Sequence, residues 1–283
     1  MKPVTFAAVV AAVVGLGAAT GVAAQDQAGW RTVAPENLLV IDTAKGRILA
    51  ELSPEVAPNH VERVRTLAST GFYDGLKFHR VIEGFMAQTG DPLGTGEGGS
   101  DLPDVNAEFS FRRRPNVGFT AVGSHPEGGL MGVLNGLPIR TQPDAQAMVN
   151  ADFKVPAIPL FCPGVLGMAR AAEVNSANSQ FFIMTGRNDR LNGQYTAFGR
   201  VLSGMTVVRS LKLGSRALDG KVEGDPDVMT RVRMASDMAE AERPTARVMD
   251  VTSPAFAAIA EQARSSGGRD FNVCDIDTPA QID

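Results

Sequence analysis

The eleven residues Phe78-His79-Arg80-Val81-Ile82-Glu83-Gly84-Phe85-Met86-Ala87-Gln88 place one arginine, a Phe-Met pair and a glutamine on short runs broken only at Gly84. In extended chain every second side chain faces the same way, so Arg80 shares a face with Ile82, and Met86 with Gln88. Phe85 and Ala87 form a further pair. A fixed cation and a hydrogen-bonding amide beside apolar groups make a candidate binding pocket, in which a few polar groups orient a ligand that apolar walls enclose. The same stretch also reads as an ordinary strand-turn-strand with a surface arginine. The surrounding elements must decide.

Other chemistries find less support. His60, His79, His125 and the two cysteines, Cys162 and Cys274, are too widely separated to show metal-ligand spacing, so no metal is expected. Asp91 to Gly99 is glycine-rich but lacks the Gly-Lys-Ser/Thr end of a phosphate loop, and reads as a tight surface loop. Arg112-Arg113-Arg114 reads as a solvated loop. A formal net charge of -4 argues against a nucleic-acid partner, which calls for a basic surface.

The chain has 283 residues, 44% of them apolar and 20% charged, which suits a folded protein of one large domain or two small ones. Residues 1–24 read as a signal peptide: Lys2, an apolar run from Phe6 to Ala19, then small residues at Val22-Ala23-Ala24. The folded part is therefore expected in the periplasm or secreted. The alternative is an uncleaved anchor, since Pro3 to Ala24 carries no charge and is long enough to span a bilayer. Export permits a disulfide between Cys162 and Cys274; two unrelated buried thiols remain the other reading.

Residues 25–36 read as a polar linker. Asn37 to Leu52 reads as a hairpin, and Pro58 with Gly71 frames a helix over about 58–70, with Val61, Val64 and Ala68 on its core stripe. Residues 112–160 are punctuated by Gly and Pro, and only Ala145 to Val149 suggests a helical turn. Gly164 to Arg170, Ser179 to Thr185, Tyr195 to Val201 and Val228 to Met234 read as strands, with a short helix from Gly204 to Leu213. A tail beyond about 238 holds one amphipathic helix, Pro254 to Arg264. Many short strands with two clear helices suggest a closed antiparallel barrel with helices over its ends.

Seven strings line up in order with one family: Gly71-Phe72-Tyr73-Asp74-Gly75, Phe78 to Ile82, Gly84 to Asp91, Gly94-Thr95-Gly96, Leu166 to Ala171, Ser179 to Ile183, and Phe198 to Val201. Over roughly Asn37 to Met234 the chain resembles the cyclophilins, peptidyl-prolyl cis-trans isomerases. The resemblance implies a mainly β fold, a closed eight-stranded antiparallel barrel capped by two helices. It also implies proline-containing polypeptide substrates and no cofactor. A monomer is expected, with no membrane span once the signal peptide is cleaved. It makes Arg80 and Gln88 the catalytic pair, Phe85, Met86, Phe182 and Leu191 the proline pocket, Ala169 and Arg170 partners of the substrate backbone, and Gln180 a further substrate-side amide. His79 matches a packing position.

The chain departs from the better-known cyclophilins in having Arg190 for tryptophan, Tyr195 for histidine and Glu83 for proline; Tyr195 can still close the pocket with its ring. The loop between Ala169 and Gln180 is one residue longer. A long insertion, about residues 113–160, rejoins the barrel near Phe161, ~26 Å of strand from the substrate-facing end, so it reaches the site only by folding back. The isomerase domain is thus expected over 37–238 and a C-terminal extension over 239–283. A Cys162–Cys274 disulfide would pin the two additions together. A non-catalytic chaperone or binding module on the same fold is the alternative reading, and a barrel binding a sugar or other small ligand a more distant one.

Overall fold

The computed structural model describes residues 29–283 apart from 116 and 127; the expected signal peptide, residues 1–24, lies outside the described residues. The chain opens with β1 (Trp30–Thr32), the hairpin β2 (Leu38–Thr43) and β3 (Gly46–Leu52), then helix α1 (Pro58–Ser69). Next come β4 (Arg80–Ile82) and β5 (Met86–Thr89), and then the insertion with β6 (Phe111–Arg113), β7 (Phe119–Ser124), β8 (Leu130–Leu134), β9 (Leu137–Thr141) and β10 (Val155–Pro159). The chain returns through β11 (Val165–Met168), β12 (Phe181–Met184), β13 (Ala197–Ser203), helix α2 (Met205–Ser210) and β14 (Met229–Met234). The tail holds β15 (Ala246–Met249), helix α3 (Pro254–Gly267) and β16 (Ala280–Ile282).

Eight strands form one antiparallel sheet in the order β14-β2-β3-β13-β11-β12-β5-β4. The sheet curls but does not close, which corrects the expected closed barrel to an open one. Among the described residues its edges, β14 and β4, form no ladder with each other. The segment before β14 meets β4 and the residues before it through isolated bridges, Lys77 with Val228 and Arg80 with Lys221, and scattered backbone hydrogen bonds. The reason lies in the segment before β14: Gly214, Gly220, Gly224 and Pro226 keep it from forming a regular ladder, so it lies beside β4 as a loop.

The apolar strands bury both faces. Phe181 and Ile183 of β12 face the inner core with Leu166, Met168 and the α1 residues Val61, Val64 and Leu67. Phe182 and Met184 face the other way, with Met86 and Val165, against Val133, Ile139 and Phe161 from the insertion side. On β2 the same alternation sends Leu39 and Ile41 inward, and Leu38 and Val40 outward against Ala246 and Val248 of the tail. The additions therefore cover the outer face of the sheet.

The insertion is more ordered than its sequence suggests. It forms a second antiparallel sheet in the order β6-β10-β9-β8-β7, and Asp144–Val149 is a short 3₁₀ turn. Pro138, Pro156, Pro159 and Gly132 lie within its strands and mask their alternation in sequence. Trp30–Thr32, within the stretch read as a linker, pairs with β15, which also pairs with β16. Cys162 and Cys274 form a disulfide, with Cα atoms 5.1 Å apart, that ties the end of the insertion to the tail. No helix among the described residues is long and apolar enough to cross a membrane.

Candidate active site

Three strands align the functional side chains. Arg80 on β4 pairs with Gln88 on β5, and Gln88 pairs with Phe182 on β12, so all three project from the same face. Phe182 in turn sits opposite Gly167 of β11. A Cβ at Gly167 would collide with the rings of Phe182 and Phe161, so only glycine allows Phe182 to lie across the sheet there. Phe161 stacks tilted on Phe182 with centroids 5.8 Å apart, and Tyr195 meets Phe182 edge-on at 6.0 Å.

These groups enclose a cleft of about 190 Å³, lined by Arg80, Phe85, Met86 and Gln88 from the β4–β5 hairpin. Ala169 and Arg170 follow β11, Phe182 lies on β12, and Leu191 and Tyr195 come from the turn before β13. That volume is below the range of drug-sized ligand pockets and suits a single small ring. Nine of the ten residues singled out from the sequence meet around it. Gln180 lines an adjoining open cleft with Gln88, Glu97 and Arg170 instead. Arg190 is exposed and does not line the cleft, leaving Leu191 and Tyr195 as the far wall.

A directed hydrogen-bond relay orients the polar groups. The Arg80 Nη1 donates to Gln88 Oε1 at 3.2 Å, and Gln88 Nε2 donates to Gln180 Oε1 at 2.9 Å. Gln180 Nε2 donates to the carbonyls of Gly96 and Gly98 at 2.9 and 2.8 Å. The glycine-rich loop thus anchors the relay, and Asp91 anchors the loop by accepting from Leu93 N–H at 2.7 Å and Thr95 N–H at 2.8 Å. Burial alone would raise the Asp91 carboxyl, but these loop N–H groups outweigh it and hold it below the usual carboxylate range. Burial pushes His79 below the ordinary histidine value, so its ring is neutral at pH 7. His79 packs behind the relay instead of lining the cleft.

Arg170 lies with its guanidinium carbon 4.6 Å from the Tyr195 ring centroid and 5.6 Å from that of Phe109. On the far side of Arg80, Nε donates to the Asp219 carbonyl at 2.8 Å and Nη2 to Asp219 Oδ2 at 2.9 Å. The sequence reading missed Asp219, Phe161 and Phe109. Asp219 carries only the turn signal of an Asp-Gly pair, which does not reveal that the turn faces an arginine far away in sequence.

The family model described as Cyclophilin type peptidyl-prolyl cis-trans isomerase/CLD matches residues 38–236. The chain belongs to the cyclophilins. It is accordingly a peptidyl-prolyl cis-trans isomerase. A probable peptidyl-prolyl cis-trans isomerase of Brucella suis is 36% identical over 214 residues, covering 72% of this chain and 85% of that protein. Peptidyl-prolyl cis-trans isomerase-like 1 of Aspergillus fumigatus is 33% identical over 175 residues, covering 62% and 81%. The crystal structure of cyclophilin AquaCyp293 from Hirschia baltica superimposes with a TM-score of 0.79 at 38% identity, covering 89% of this chain and 93% of that one. This cyclophilin thus shares with AquaCyp293 a fold that extends beyond the eight-stranded sheet.

Proposed function

We propose that this cyclophilin accelerates rotation about X-Pro bonds in exported polypeptides and so assists their folding, with Arg80 as the catalytic donor. The rotation breaks amide resonance, costs ~20 kcal/mol and takes tens of seconds unaided. No covalent bond is made or broken. A site needs only to hold the ring while the rest of the amide turns, and to stabilise the twisted amide, whose nitrogen becomes basic. The observation that supports this assignment is one permanently charged guanidinium, pinned along one edge, with Nη1 beside a ring-sized apolar cleft.

In this reading Phe85, Met86, Phe182, Leu191 and Tyr195 hold the proline ring. Gln88 fixes the inner edge of Arg80, while Ala169, Arg170 and Gln180 meet the substrate backbone. Two features support action outside the cytoplasm: the signal-like residues 1–24, and the Cys162–Cys274 disulfide, which persists in oxidising compartments. The mature protein would begin at Gln25, which N-terminal mass spectrometry of the exported form checks. A protease-coupled assay on an Ala-Pro-Phe peptide tests the chemistry. Arg80→Ala should lower kcat/KM by about a hundred- to a thousandfold, as loss of a transition-state donor does. Equal rates for the two proteins would leave only the binding-module reading.

A further inference from the structure

We propose that Asp219 is a positioning residue for the isomerisation: from the loop bordering β4 it grips one edge of the Arg80 guanidinium, so that the opposite edge is presented to the proline cleft. The inference deepens the reading of Arg80 above and rests on it.

The loop is built onto the free edge of the sheet. Gly214 N–H donates to the Val81 carbonyl at 2.9 Å, Val81 N–H donates to the Gly220 carbonyl at 2.8 Å, and Val222 N–H donates to the His79 carbonyl at 2.9 Å. Residues 214–222 thus follow β4 on both sides of Arg80. The fit is close: a Cβ on Gly220 would collide with Ile82, and one on Gly214 with the Gly220 carbonyl. An exposed ion pair, Arg216 with Glu83, adds a tie to the turn after β4.

At the tip of the loop, Asp219 adopts φ 51° and ψ 40°, a left-handed conformation that aspartate tolerates better than most residues. This geometry aims both its main-chain oxygen and its carboxylate at Arg80. The guanidinium has five N–H donors. Nε and Nη2 each give one to Asp219, and Nη1 gives one to Gln88. The other N–H of Nη1 meets only the Met86 sulfur, a weak acceptor at 4.0 Å, so that N–H and one on Nη2 can turn to a substrate amide. Because the Asp219 side chain is 83% exposed, the pair contributes little to folding. Its consequence is orientation: an arginine held at two points on one edge and one on the other cannot swing out of the cleft.

The test compares wild type with Asp219→Asn and Asp219→Gly, both of which accept the left-handed conformation, in the protease-coupled assay. Each variant is also made in the Arg80→Ala background. Both single variants should lower kcat/KM by about five- to twentyfold, mainly through kcat, with an unchanged thermal midpoint. In the Arg80→Ala background they should have no further effect. If Arg80→Ala loses activity while both Asp219 variants keep the wild-type rate, the positioning role is overturned and the isomerase reading stands. The positioning role is likewise overturned if they lower the rate by the same factor with and without Arg80. If Arg80→Ala itself matches wild type, the reading beneath the proposal fails first.

Discussion

Gly167 shows how much the site depends on a side chain that is missing. Phe182 occupies the space above it, and Phe161 and Tyr195 are arranged around Phe182. Gly167→Ala should force the Phe182 ring off its position. The expected result is a kcat/KM lower by about tenfold or more, at a stability cost of about 1–3 kcal/mol, read from the coupled assay and a urea midpoint. Arg190 stands in a different relation to the cleft: it is exposed and leaves the wall to Leu191 and Tyr195. The replacement of an aromatic by a charged residue there alters the rim and leaves the pocket floor unchanged.

The decisive element is the glycine-rich loop after β5, which looks ordinary in sequence yet carries the end of the relay from Arg80. Its carboxylate anchor makes it acid-sensitive. The Asp91 pKa is depressed in the folded state, so its contribution to stability is present above the unfolded carboxylate value near 3.9 and is lost as the pH falls below it. His79 is also depressed, so the unfolded chain takes up its proton first as the pH falls below about 6.5, and stability declines there too. Thermal midpoints followed from pH 7.5 to pH 3 should therefore fall in two windows. Asp91→Asn should flatten the lower window and cost about 1–3 kcal/mol at pH 7, because the loop N–H groups lose their charged acceptor. An unaltered acid limb in Asp91→Asn would show that other carboxylates govern it.

Across the whole molecule, the additions and the curled sheet share their cores. Met86 and Phe182 pack in one cluster with insertion residues, and Leu38 and Val40 pack against the tail. At the junction, Arg31 reaches from β1 to both oxygens of Glu51 at 2.5 and 2.7 Å and to the Asn135 carbonyl of the insertion at 2.6 Å. Beside them Arg200 donates to the Thr278 carbonyl of the tail at 3.1 Å; burial pulls it down to about 10 against the opposing pull of Glu51. The disulfide closes a loop with a sequence separation of 112 residues. Replacing both cysteines by serine should lower stability by about 2–5 kcal/mol in denaturant titrations. Activity should fall as well, because Cys162 adjoins Phe161, which backs Phe182. A double variant with wild-type stability and rate would show that the shared cores alone hold the additions.

Short motifs in their family order were enough to read the hairpin, α1, β11 to β14 and most of the cleft, because each depends on local alternation or on residue types a few positions apart. Arg80, Gln88 and Phe182 could be named from sequence because the family resemblance implied their roles, which local alternation by itself left open. The insertion's sheet could not, because its strands carry Pro138, Pro156 and Gly132, whose role depends on neighbours far along the chain. The open edge, the grip of Asp219 on Arg80, the pairing of Cys162 with Cys274 and the burial of both faces of β12 were decided only in the tertiary structure. Each is a contact between segments distant in sequence. Residue types and spacing determine which groups are available and how a strand alternates; only the packed chain determines which edge of an arginine faces the cleft.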